Sequence, residues 1–182
     1  DITAVKTDKA LYDATEFFAL TEILTVPAGD SLDKTSVSRG KFASLLGEIT
    51  GGKSVSTTRA VEEDDGWLWL GDRESGAAGA AQTGFSDVPA DHKYAAAIKN
   101  ASENGWMNGD GSGSFRPNDR ITATECFAAL VRLLNADFAA GSGNFETKYA
   151  GEAKRLGLTK NLDIKGYTQT VSARDAYVML FN

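Results

Sequence analysis

Cysteine, histidine and proline are almost absent from this 182-residue chain, which holds one Cys, one His and three Pro. With Cys126 alone, no disulfide can form within the chain, and the missing bridge assigns no compartment. Cys126 falls on the apolar face of an expected helix, where an inert core thiol is the natural reading. His92 stands in a polar PADHK stretch, as a helix-start or surface residue does. A Ser–His–Asp or Cys–His enzyme would rest on that one imidazole, with no supporting pattern. No apolar run approaches the ~20 residues that a membrane span requires. Excess positive charge is missing too: the net charge is −6, which argues against nucleic acid or an anionic membrane surface as a generic partner. The acidic stretch Glu62–Asp65 carries much of that charge, so basic grooves elsewhere stay compatible with it.

What is present suits regular elements joined by turns. Residues are 42% hydrophobic and 24% charged, with 19 Gly, enough for one compact domain or two small ones. The chain opens at Asp1 with neither Met nor an apolar signal core, as a mature or trimmed fragment would.

Self-comparison is the most informative step. SVSRGKFASLLGEI, RITATECFAALVRLL and TVSARDAYVMLF each open with a β-branched apolar residue (Val37, Ile121, Val171) and a hydroxyl residue (Ser38, Thr122, Ser172). Counted from the hydroxyl as N-cap, Phe42, Cys126 and Ala176 share position N4, and Leu46, Leu130 and Leu180 share N8. That spacing marks one buried helical stripe. The hydroxyl can accept from a free first-turn N–H, worth ~1 kcal/mol. Glu125 at N3 completes a capping box with Thr122. A shorter helix precedes each of these: LYDATEFFALTEIL, DHKYAAAIKNASENGW and KYAGEAKRLGL, the last two with Gly105 and Gly157 as stops. The unit is helix, loop, helix, three times. One unit cannot bury its own stripe, but three about a common axis can.

Two regions need separate treatment. Residues 52–84 do not fit the repeat and read as an insertion, with TTRAV and GWLWL as a possible hairpin carrying Trp67 and Trp69. The loop NGDGSGSFRPND, Asn108–Asp119, carries Asp, Ser and Gly at alternating places, as a calcium loop does. Only two carboxylates stand in it, and Pro117 spoils the exit helix an EF-hand needs. The simpler reading is a turn in which Gly109, Gly111 and Gly113 supply positive φ, Phe115 plugs the core and Pro117 fixes the approach to the cap.

FSDVPADHKYAAAIKNASENGWMNGDGSGSFRPNDRITATECFAALVRLL resembles a repeat of the S-layer homology (SLH) family. The likeness lies in F-x-D-V-P, a helix ending in Gly, G-x-G-x-F-x-P, and I-T-x-x-E opening a long helix. The resemblance implies an all-α, pseudo-threefold domain over 1–182. Its repeats would cover about 11–51, 85–136 and 145–182, around a central three-helix bundle. It also implies a non-catalytic, cofactor-free module at the bacterial cell surface. Such a module binds an anionic wall glycan, often one bearing a pyruvate ketal. The family signature T-R-A-E places an arginine fork beside a helix N-terminus, a pairing suited to a carboxylate. Here the three copies read Ser38-Arg39-Gly40-Lys41, Thr122-Ala123-Thr124-Glu125 and Ser172-Ala173-Arg174-Asp175. The expected ligand residues are therefore Ser38, Arg39, Lys41, Thr122, Glu125, Ser172 and Arg174, with Arg39 and Lys41 the best anionic-ligand pair. Arg39 could equally be a solvated helix-start residue. Loss of arginine from two copies leaves an alternative, a scaffold contacting other surface-layer proteins.

Overall fold

A computed structural model describes residues 8–21, 32, 34–51, 83–134 and 144–182. Trp67, Trp69 and the hairpin expected around them lie outside the described residues. Among the described residues six helices follow in chain order: α1 Lys9–Thr21, α2 Arg39–Ile49, α3 Ala95–Glu103, α4 Ala123–Leu133, α5 Phe145–Arg155 and α6 Ala173–Phe181. Among the described residues there is no strand, only three isolated antiparallel bridges. The fold is all-α.

Each helix begins and ends where local chemistry requires. The hydroxyls of Ser38, Thr122 and Ser172 accept from the N–H groups of Lys41, Glu125 and Asp175. Thr122 and Glu125 form the reciprocal capping box, the Glu125 carboxylate accepting from the Thr122 N–H at 2.9 Å. Asp8 caps α1 by accepting from the Leu11 N–H, and Asn144 caps α5 by accepting from Thr147. Gly105 and Gly157 stop α3 and α5 with φ of 70° and 85°, a left-handed turn that glycine makes cheaply. The stripe expected from spacing is the core: Phe42, Cys126 and Ala176 are fully buried, with Leu46 and Leu130 beside them.

The residue before each cap closes a ring. The Val37 N–H donates to the Val171 carbonyl, Val171 to Ile121, and Ile121 back to Val37, at 3.1, 3.0 and 2.9 Å. All three side chains are buried. A buried peptide group without a partner is costly, so each segment needs the other two. A second ring lies beside the first, Arg39, Ala123 and Ala173 donating to the carbonyls of Asp119, Gln169 and Thr35.

Helix packing follows the same cycle. α3 packs on α2, α5 on α4, and α1 on α6. Each of these covers a cap-led helix that another segment opens, and the expected difference in length holds only for α3 on α2: α5 equals α4, and α1 is longer than α6. Here α1 shields α6, fastened by Asp8 to the Arg174 guanidinium at 2.6 Å and by the Phe17–Phe181 ring contact.

Candidate functional site

The loop 108–119 is built to hold its own shape. The Asp110 carboxylate accepts from the Ser112 N–H and hydroxyl and from the Ser114 N–H. These bonds, the Ser112 hydroxyl first, hold its pKa below the ordinary value. Asp110 thus closes a turn on itself. Gly111 and Gly113 take the expected positive φ, but Gly109 does not. A Cβ on Gly109 would stand 2.6 Å from the Ser114 carbonyl oxygen and 2.7 Å from the Phe85 ring, so close approach is its reason. Phe115 plugs the core as expected, fully buried against Phe85.

Asp87 fastens this loop from the other side. Its two oxygens accept from the N–H groups of Phe115 and Arg116, at 2.8 and 2.7 Å. Burial pushes the Asp87 carboxyl up, the two N–H bonds pull it down, and it ends below its usual value. Arg116 sits at φ 60°, in the left-handed region.

Arg39 is neither solvated nor available. Its side chain is 6% exposed and lies over the Phe115 ring, 4.9 Å from the centroid. It donates to the Phe115 carbonyl at 2.8 Å, the Asn108 carbonyl at 2.9 Å, and the Glu125 carboxylate. The guanidinium fork ties the loop to the starts of two helices.

A cleft opens beside this knot, with two lobes of about 250 and 330 Å³ that share Arg39, Arg116, Glu125 and Phe145. Trp106 and Arg132 complete the first lobe. Arg132 donates to the Tyr149 hydroxyl at 3.1 Å and lies 5.1 Å from that ring's centroid and 6.0 Å from that of Phe145. Arg120, Thr122, Glu146 and Tyr167 line the second lobe. Phe145 and Tyr167 are about half exposed, the Phe145 ring packing on Tyr149 at 4.7 Å, so part of each aromatic can meet a flat apolar partner. The first lobe sets three arginines against one carboxylate, while the second balances three against three. Such a cleft can take an acidic group at one end and an uncharged ring face at the other. Residues 84–122, which supply the loop and the α4 cap, match the family model of the S-layer homology domain.

That match spans 39 of the 182 residues. No curated protein matches the chain. The SLH family is one of cell-wall anchoring modules in bacteria, and no described helix here is long and apolar enough to cross a membrane.

The seven sequence-derived residues separate on this frame. Arg39, Thr122 and Glu125 come together at the cleft. Ser38 and Ser172 act as caps. Arg174 is fastened to Asp8, Asp175 and the Asn161 carbonyl, and Lys41 bears on the half-buried Glu48. One expectation is corrected: the helix N-termini are not open to a ligand. The N–H groups of Gly40, Thr124 and Arg174 donate to the carbonyls of Pro117, Tyr167 and Leu32, completing what the second ring and the hydroxyl caps begin. Each loop plugs the helix start of the unit before it, and the first unit's loop plugs the last.

Sequence reasoning missed Arg116, Arg132, Trp106 and Phe145. Arg116 had a signal, a long cation between the aromatic and the proline of FRP. Arg132 had a weaker one, a charge in the last turn of an otherwise apolar helix. Cys126 is the core thiol expected, with burial holding its pKa well above normal. His92 is a helix-start residue whose Nδ1 accepts from the Tyr94 N–H.

Proposed function

We propose that this chain is a non-catalytic envelope-anchoring module that holds an anionic wall polysaccharide in the two-lobed cleft. It acts outside the cell, at the bacterial surface. The carrying observation is the cleft itself: arginines beside half-exposed aromatics, lined in part by the residues that match an anchoring family. In an acidic protein, that concentration of cations suits an acidic glycan. Glu125, the carboxylate common to both lobes, supports a binding role over acid–base chemistry, because it is bound to Arg39 and to the Thr122 N–H. We also propose that 1–182 forms one domain of three repeats around a pseudo-threefold axis. The two cyclic rings of backbone bonds support that reading.

Co-sedimentation with bacterial sacculi tests the function. Binding is expected to sacculi bearing their acidic polysaccharide, to weaken as salt rises, and to vanish when the polymer is stripped. Equal retention on stripped sacculi removes the proposal. The scaffold reading draws on a different surface, where Phe17, Leu20 and Phe181 are exposed along the α1–α6 seam. It predicts self-association in sedimentation velocity and no polymer dependence.

A further inference from the structure

Resting on the glycan-anchoring reading, we infer that Arg116, and not the signature arginine Arg39, meets the acidic group of the ligand, in the Trp106–Arg132 lobe. Arg39 cannot turn toward a ligand without leaving the Phe115 and Asn108 carbonyls and the Glu125 carboxylate. Arg116 is differently placed. Its side chain is 45% exposed, on the wall shared by both lobes, and its own ion pairs are long: 3.4 Å to Asp119 and 3.6 Å to Glu125. A ligand oxygen pair can take the planar fork at shorter range than either protein carboxylate does.

Backbone conformation points the same way. Two described non-glycine residues have positive φ, Arg116 and Asn161. Asparagine tolerates that region, and the Asn161 carbonyl is bonded by Arg174. Arginine does not favour it, and Asp87 has to hold the Arg116 N–H to keep it there. Glycine would fit the same turn with less strain. A costly residue with weak contacts of its own marks a position kept for something other than stability. Charge then orients the ligand. The acid sits in the lobe where arginines outnumber carboxylates, and the uncharged sugar face runs over Phe145 toward Tyr167.

Arg116→Gly separates binding from folding, because it relieves the backbone while removing the cation. The probes are polysaccharide-bearing sacculi and the same sacculi stripped of polymer, with Arg116→Lys as a second variant. Expected are a loss of about ten-fold or more in affinity for R116G, a smaller loss for R116K, and an R116G melting temperature equal to or above wild type. Retention of R116G within two-fold of wild type overturns the assignment. So does an R116G melting temperature well below wild type, which would make the residue structural. If the wild-type chain itself ignores the polymer, the anchoring reading falls first and takes this one with it.

Discussion

The guanidinium of Arg39, at the first position of α2, is bonded to the carboxylate of Glu125, in the first turn of α4, across 86 residues of sequence. Glu125 serves at the same time as the capping-box partner of Thr122. One carboxylate thus couples a helix start to a neighbouring helix start. Arg39→Ala is expected to destabilise the fold by about 2–4 kcal/mol, since it orphans two carbonyls and a half-shielded carboxylate. For a chain of this size that lowers Tm by roughly 10 °C. Thermal melting checks it, and an unchanged Tm would show that the knot carries little.

The hydroxyl caps give a graded series. Ser38→Ala and Ser172→Ala should each cost about 1 kcal/mol. Thr122→Ala should cost more, because it also disturbs the box that orients Glu125 toward Arg39. Urea unfolding of the three variants tests that order; equal losses at all three would deny Glu125 its double role.

Asp8 makes stability depend on acid. The Arg174 hydrogen bond, outweighing a rise from burial, holds its carboxyl below the ordinary value. A lowered folded pKa means that its contribution is complete above the usual carboxylate range and disappears as pH falls through the folded value. Asp8→Asn should therefore lower Tm at pH 7 and converge on wild type as acid titrates the folded carboxyl, below the ordinary carboxylate range. A gap that persists in acid would point to packing instead.

Glu48 works in the opposite sense. Burial raises its carboxyl above the ordinary value, despite the nearby Lys41 charge and the Ser44 hydroxyl bond. A raised folded pKa means stability is lost as pH rises through that value. Glu48→Gln keeps an acceptor for Ser44 and removes the buried charge. It should raise Tm by about 2–4 °C at pH 7, the shift of roughly 1 kcal/mol, with no gain near pH 4. Melts across pH decide it.

How much of this was written locally? The three cap-led helices were, because a hydroxyl cap, an apolar residue before it and an i, i+4, i+8 stripe are short-range chemistry. The glycine stops and the Phe115 plug were legible for the same reason. The fate of Arg39 was not. Its burial depends on carbonyls 69 and 76 residues away, and nothing beside Ser38 announces them. The plugged helix starts were hidden likewise, since each plug comes from another segment's loop. Gly109 looked like a conformational glycine because spacing cannot tell a turn from a close contact. Arg116 was passed over because charge patterns do not report φ.

The pairing of α1 with α6 carries a consequence for folding. Asp8 and Arg174 stand 166 positions apart, so α1 finds its cover only once α6 has formed. Until then α1 displays Leu11, Ala14 and Phe18 with no partner on that face. A chain closed through contacts so distant in sequence folds slowly, and its apolar surface stays exposed while it waits.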